Sequence, residues 1–475
     1  MKKRIPTGVD GLDDVLGGGF PRGSLILITG NPGTGKTVFS ARFLYRGAVE
    51  YGENGVYVNF SEDRETFYEN MRLFGFDFER LEKEGRFRYL DFLTVRETGV
   101  SSILNMILEE ISRIKAKRLV IDLFSAIAQA FERPHDARIL VHTVLGRIVR
   151  KAGCTTLMIV EVPFGEERIG LGMEEFVADG VLNLERKEYE KSLLRELSIL
   201  KLRGTRVAYP KLAFTLEGGF QVFPPITVTG ISEPEGRYRI IPHSKESFSM
   251  GIRDLDHILK GMFRKGNYDL LEIEGDVVYP LEKLTRPTIC NFLNQGHGVV
   301  VLPPQGLTGE TIRSSILPYV EEKESQSNFK VIDYAFTGKE RSKDPNIISL
   351  RGASILEDLE RFWSICSELR KKTGKSVLSV VGYDSIEYIY GEKDALKTLG
   401  EDVARIRNNK DVRINIIRPT AFIASQLGAL SHIHLKVKQI DGALFLHGIK
   451  PETPLLNINL TEKEGFSEIK LIPIL

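Results

Sequence analysis

Residues Gly30 to Thr37 read GNPGTGKT and meet the pattern G-x-x-x-x-G-K-[ST] at every fixed position. Each residue type there has a chemical use. Gly30, Gly33 and Gly35 permit backbone angles that a Cβ would forbid. Successive N–H groups can then turn inward and cradle an anion, helped by the positive end of a following helix. Lys36 supplies a point charge for β- and γ-phosphates, and the Thr37 hydroxyl is a hard oxygen ligand for Mg²⁺. The residues expected around the phosphates are Asn31, Pro32, Gly33, Thr34, Gly35, Lys36, Thr37 and Val38.

Such a cradle works only between a strand and a helix. SLILIT, Ser24 to Thr29, is a short apolar run that reads as a buried strand. VFSARFLYRGAVEYG follows it, with Phe39, Phe43 and Leu44 at helical spacing. Ahead of the strand, Leu12, Val15 and Leu16 would face inward on a short helix capped by Asp10 or Gly11. GVYVNFSED, Gly55 to Asp63, is a β-branched and aromatic run ending in acids. It places Glu62 and Asp63 at a strand's C-terminal end, where α/β sheets hold their ligands. KRLVIDLFSAI, Lys117 to Ile127, closes an apolar run on Asp122, a carboxylate suited to Mg²⁺ through its water shell, opposite Thr37. CTTLMIVEVPFG, Cys154 to Gly165, is a further buried strand ending in Glu161. VSSILNMILEEISRI and RILVHTVLGRIVRKAG have helical spacing, and each leads into a strand. The expected fold class is α/β, with a doubly wound, mostly parallel sheet.

The leader PTGVDGLDDVLGGGFPRGS followed by GNPGTGKT resembles the RecA-superfamily ATPases of the KaiC type, over about Met1 to Pro225. The resemblance implies a RecA-like fold that binds ATP with Mg²⁺. It places the family's water-activating carboxylate on Glu62, whereas the glutamate that often precedes it is Ser61 here. It makes Glu161 a candidate sensor of the γ-phosphate. In LRELSILKLRGT, Leu194 to Thr205, alternation puts Leu200 and Leu202 on one face and Ile199, Lys201 and Arg203 on the other. The resemblance implies that Lys201 and Arg203 reach the nucleotide of the next subunit in a ring, so the expected catalytic set is Lys36, Glu62, Lys201 and Arg203. Related recombinases hold a DNA-binding loop where this chain reads PFGEERIGLGMEEFVADG. With Glu166, Glu167, Glu174 and Glu175 against Arg168, that stretch is poorly suited to phosphates.

The totals narrow the partners. Lys plus Arg is 65 and Asp plus Glu is 64, a net charge of +1, so no global field draws nucleic acid or an anionic membrane. No apolar run approaches the length of a membrane span. Cys154, Cys290 and Cys366 stand far apart without zinc spacing and read as core residues of a reducing, cytoplasmic setting. The basic N-terminus MKKRIPTG is not followed by a secretory h-region.

At 475 residues the chain has room for about two domains, and the second half echoes the first. GIRDLDHILKGMFRKG, from Gly251, matches GVDGLDDVLGGGFPRG, from Gly8, at seven of sixteen positions in register, the sign of a duplication. Where GNPGTGKT should recur the chain reads EGDVVYPLEKL, with Asp276 and Glu282 and no Gly-Lys-Thr. Pro303, Pro304 and Gln305 stand where the second strand's acids should be, and Asp384 is expected at the position of Asp122. The expected organisation is an ATPase domain over 1–228, a linker over 229–247, and a degenerate KaiC- or RecA-like copy over 248–475. The expected function is slow, Mg²⁺-dependent ATP hydrolysis with a regulatory or signalling role. The chain would self-associate as a ring or stack and recruit a protein partner through its second half. A RadA-type DNA-repair ATPase and a non-catalytic, ATP-dependent scaffold are the alternatives.

Overall fold

The computed structural model describes residues 3–92, 100–122, 153–163, 178–226, 238–275, 277, 280–320, 326–334, 343–418, 420–463 and 466–475. The chain divides into two compact units. One is Met1–Pro225 with Asp441–Ala443 and Pro473–Leu475; the other is Ile226–Ile440 with Leu444–Ile472.

In the first unit, β1 (Arg4–Ile5) and β2 (Phe20–Pro21) pair antiparallel on either side of α1 (Leu12–Leu16). Leu12 and Leu16 are buried, and Gly11 is the N-cap. The strands that follow are β3 (Leu25–Gly30), β4 (Gly55–Asn59), β5 (Phe87–Asp91), β6 (Arg118–Asp122), β7 (Thr155–Glu161), β8 (Gly180–Tyr189), β9 (Ser192–Leu202), β10 (Lys211–Thr215) and β11 (Gln221–Phe223). They form one sheet in the order β11-β10-β9-β8-β3-β7-β6-β4-β5. From β8 to β5 the neighbours run parallel, and from β8 to β11 antiparallel. The helices are α2 (Lys36–Tyr51), α3 (Arg64–Arg72), α4 (Phe78–Lys83) and α5 (Val100–Arg113). Both sheet faces are covered, so the central strands are apolar throughout rather than alternating with polar residues. Ile26 and Ile28 pack into one cluster with Phe39 and Phe43 of α2, while Leu25 and Leu27 pack into the other with Ile107 and Ile111 of α5. The helix expected over Arg138–Gly153 lies almost wholly outside the described residues.

The second unit holds β12 (Tyr268–Ile273), β13 (Gly298–Leu302), β14 (Phe329–Tyr334), β15 (Ile347–Leu350), β16 (Val377–Gly382), β17 (Val412–Ile417), β18 (His434–Ile440), β19 (Ala443–Lys450), β20 (Leu456–Lys463) and β21 (Phe466–Pro473). Its helices are α6 (Arg253–Leu259), α7 (Leu281–Leu293), α8 (Gly309–Ile316), α9 (Ile355–Thr373), α10 (Tyr383–Tyr390), α11 (Glu392–Asn409) and α12 (Ala424–Leu430). Read from β21, the sheet runs β21-β20-β19-β18-β12-β17-β16-β13-β14-β15. Strand for strand this is the order of the first sheet, with β12 in the place of β3 and β15 added at one edge. Both sheets are α/β and mostly parallel, as a duplicated RecA-like fold requires. Tyr238, inside the expected linker, is already buried in the core of this second unit.

The second core is fastened by an internal ion pair. Arg413 Nη1 lies 2.6 Å from Asp402 Oδ2, and their side chains are 2% and 0% exposed. Trp363 Nε1 donates to Asp402 at 3.1 Å, and Ser379 Oγ lies 2.6 Å from Arg413 Nε. Removing one member of such a pair strands the other charge in a dry interior. Asp402→Ala is therefore expected to lower the unfolding free energy of the second unit by about 3–5 kcal/mol in urea titrations. A loss below about 1 kcal/mol, the range of a surface pair, would show that Arg413 finds other compensation.

Candidate nucleotide site

The site is built at the C-terminal rim of the first sheet. β3 ends in Gly30, and a Cβ at that position would lie 2.2 Å from the Leu184 carbonyl oxygen. The cradle therefore needs glycine where it leaves the strand. Gly35 is the N-cap of α2 with φ 100°, a left-handed conformation that a side chain rarely tolerates. Thr34 Oγ1 donates to the Asn31 carbonyl at 2.9 Å and closes the turn. Lys36 is buried, and its ammonium donates to the carbonyls of Gly30 at 3.0 Å and Asn31 at 2.8 Å. Burial lowers its pKa, while the charges of Glu161 and Asp122 oppose that shift. Glu161 pairs in register with Gly30, so the parallel sheet itself brings it to the cradle.

Asp122 ends β6 and is almost fully buried. Its Oδ2 accepts hydrogen bonds from Thr37 Oγ1 at 3.1 Å and from the Tyr57 phenol at 2.6 Å. Burial pushes its pKa up; the bonds from Tyr57 and Thr37 and the charge of Lys36 pull it back. The hydroxyl of Thr37 beside a buried carboxylate is a hard oxygen donor set, the kind that Mg²⁺ takes with its waters retained. The residues present therefore fit Mg²⁺, with Thr37 and Asp122 to hold it.

Glu62 follows β4 in a turn organised by Asn59. Asn59 Oδ1 accepts from Ser61 N at 2.8 Å, Ser61 Oγ at 3.0 Å and Glu62 N at 3.2 Å. The carboxylate of Glu62 accepts from Asn70 Nδ2 at 2.7 Å, and Tyr89 donates to the Glu62 carbonyl at 2.7 Å. The two acids read together at the strand end have separate uses. Asp63 caps α3 by accepting from Thr66 N, which holds its carboxyl below the usual range, whereas Glu62 has no capping role.

Lys201 and Arg203 lie elsewhere. Leu202 pairs with Gly180, and Gly180 with Ile26, so the end of β9 stands level with the start of β3. The cradle begins at the other end, after Gly30. Arg203 stands level with Leu25, five strand steps or roughly 16 Å from Gly30, and Lys201 with Leu27, three steps or roughly 10 Å away. Strict alternation also fails here: a bulge opposite Val181 and Leu182 leaves Ile199 buried and Leu200 56% exposed, the reverse of the expected faces. Arg203 is exposed, with Nη1 3.7 Å from Asp179 Oδ1. The stretch compared with a DNA-binding loop lies mostly outside the described residues, at 164–177.

In the second unit the equivalent rim has different chemistry. Matching β12 to β3 through Gly266 and Gly23, and following the parallel registers through β17 and β16, sets Gly382 opposite Asp122. Asp384 is two residues further on, inside α10, and Gln305 Nε2 donates to its backbone carbonyl. The expected equivalence of Asp384 with Asp122 is therefore displaced. No side chain fits at Gly382, because its Cβ would lie 2.3 Å from Pro304 Cα. The same mapping sets Asn59 against Pro303 and Lys36 against Tyr279, which is outside the described residues.

The profile of the family described as "ATPase: KaiC" matches residues 5–225. A UPF0273 protein of Methanocaldococcus jannaschii is 34% identical over 237 residues, 47% of this chain and 97% of that protein. This chain belongs to the KaiC-like, RecA-superfamily P-loop ATPases. The circadian clock oscillator protein KaiC of Thermostichus vulcanus is 30% identical over 271 residues, 55% of this chain and 50% of that protein. Among solved structures, the KaiC-like protein PH0186 of Pyrococcus horikoshii OT3 shares 39% identity over 47% of this chain and 100% of that one, with a TM-score of 0.43. Among the described residues no helix is long and apolar enough to cross a membrane.

Lys36 is the buried cation at the Gly30–Asn31 turn, held by two carbonyls. Lys36→Ala should weaken ATP binding roughly 100-fold, as read by calorimetry on the full chain. Unchanged affinity would mean that the nucleotide binds elsewhere.

Proposed function

We propose that the chain binds Mg-ATP at its first unit and hydrolyses it slowly in a self-assembled ring or stack, with the second unit serving regulation. The observation that carries this reading is the convergence of Lys36, Thr37 and Asp122 at one strand rim, with Glu62 three residues beyond the end of the neighbouring strand β4. The γ-phosphate of the substrate would draw Lys36 off the Gly30 and Asn31 carbonyls. Bound Mg²⁺ would neutralise charge on the phosphates. Glu62 would orient and polarise the attacking water once it is released from Asn70. Lys201 and Arg203 sit too far along the sheet to serve their own cradle, which supports a role at a neighbour's nucleotide. Arginine suits planar phosphate contact and lysine acts as a point charge.

Slow turnover follows from the state of Glu62. It is the single glutamate at a place where relatives often carry two, and Asn70 holds it. A scaffold that binds ATP without hydrolysing it is the second reading, favoured by that same Glu62–Asn70 bond. Measuring phosphate release separates the two. Glu62→Gln should lower it about 100-fold while ATP binding persists, whereas a scaffold has no release to lose.

The mutual dependence of subunits has its own check. A mixture of Arg203→Ala and Lys36→Ala chains should recover activity that neither has alone, because each supplies what the other lacks. Activity that stays at the sum of the two separate chains would rule out the trans role.

The pH profile should carry the mark of Glu62. Burial raises its pKa above 4.5, and the Asn70 hydrogen bond lowers it. A water-polarising carboxylate must be ionised, so activity should rise with pH through a midpoint above the ordinary glutamate value. Asn70→Ala removes the lowering contribution and should move the acid limb of kcat/KM, which reports the free enzyme, to higher pH. A limb that moves lower, or not at all, would remove Glu62 from the mechanism.

A further inference from the structure

Asp122 is held from two sides. Thr37 Oγ1 reaches its Oδ2 from the start of α2, and the Tyr57 phenol reaches the same oxygen at 2.6 Å from β4. Tyr57 pairs in register with Val120 and Asn59 with Asp122, so the phenol extends two residues along the sheet toward the rim. An ionised carboxylate can only accept, so the phenol is the donor. The ring cannot drift. It is fully buried, with its centroid 4.6 Å from that of Phe67 and 5.7 Å from that of Tyr89, stacked on the latter at 11°. A phenylalanine would fill this aromatic cluster equally well, so packing alone does not account for the hydroxyl.

The second torsion of an aspartate is broad and roughly two-fold. Thr37 alone is a weak restraint on it, because the Thr37 oxygen is itself needed by the metal. A donor anchored on a central strand fixes the plane of the carboxylate before metal or nucleotide arrives. We infer that Tyr57 is a positioning residue, whose hydroxyl pins Oδ2 of Asp122 and leaves Oδ1 as the oxygen available to the water shell of Mg²⁺. The inference rests on the Mg-ATP reading of the site. Outer partners of this type commonly change metal affinity by about 10- to 100-fold.

The test is Tyr57→Phe in the full chain, with four readouts: thermal melting, ATP affinity in the presence of EDTA, ATP affinity across a Mg²⁺ titration, and direct Mn²⁺ binding by electron paramagnetic resonance. Metal-free ATP affinity should stay close to the unmodified chain, and melting should fall only by what one hydrogen bond to a buried carboxylate contributes. The half-saturating Mg²⁺ and Mn²⁺ concentrations should rise by about 10- to 100-fold. In an Asp122→Asn background, the same Tyr57→Phe change should add no further shift, because Tyr57 acts through Asp122. A metal dependence that Tyr57→Phe leaves unchanged overturns the inference alone. An equal shift with and without the Asp122 carboxylate also overturns it. An unmodified chain whose ATP binding ignores Mg²⁺ overturns the Mg-ATP reading and this inference with it.

Discussion

The carboxylate of Asp122 is the constraint on which the first unit depends. It is buried at the end of a central strand, where a charge without partners is strongly unfavourable. Its partners come from two elements: Thr37 and the charge of Lys36 from the start of α2, and Tyr57 from β4. All of them meet it only if the parallel registers are correct, with Asn59 beside Asp122 and Gly30 beside Glu161. Sheet register and site geometry are therefore one requirement. The glycines of the cradle serve the same end, since Gly30 lets the chain leave β3 past the Leu184 carbonyl.

The second unit keeps the strand order and gives up that requirement. At the place of Asp122 stands Gly382, closed over by the Pro303–Pro304 backbone. Where Thr29 bonds Asn183 in the first unit, the matching strands β12 and β18 carry Glu272 with Lys436 at 3.2 Å and His434 at 2.9 Å. Its core instead holds the buried pair of Arg413 on β17 with Asp402 on α11. A sheet of this size is held by strand packing, so the architecture does not depend on a carboxylate at this rim.

Much of the first unit was legible because its signals are local. GNPGTGKT encodes backbone geometry directly, and apolar runs that close on Asp122 and Glu161 mark strand ends whatever surrounds them. The duplicated leader from Gly251 was legible for the same reason. What stayed hidden depended on partners distant in sequence. Tyr57 read as one more aromatic in a strand until Asp122 was placed beside it. Asp63 read only as a second acid at the strand end until α3 was placed behind it as the helix it caps. The bulge at Leu200 comes from pairing with β8, so alternation within β9 could not reveal it. Asp384 matched Asp122 as an acid after an apolar run, but β16 ends two residues earlier than that comparison assumes.

The central claim is that one chain carries one nucleotide site, made by the first unit. The most direct measurement is the stoichiometry of Mg-ATP binding to the full chain by calorimetry, beside the segment from about Ile226 onward, which keeps Tyr238 in the second core. The account predicts one ATP per chain and no binding by the second segment. Two ATP molecules per chain, or binding by the second segment with an affinity comparable to the full chain, would contradict it.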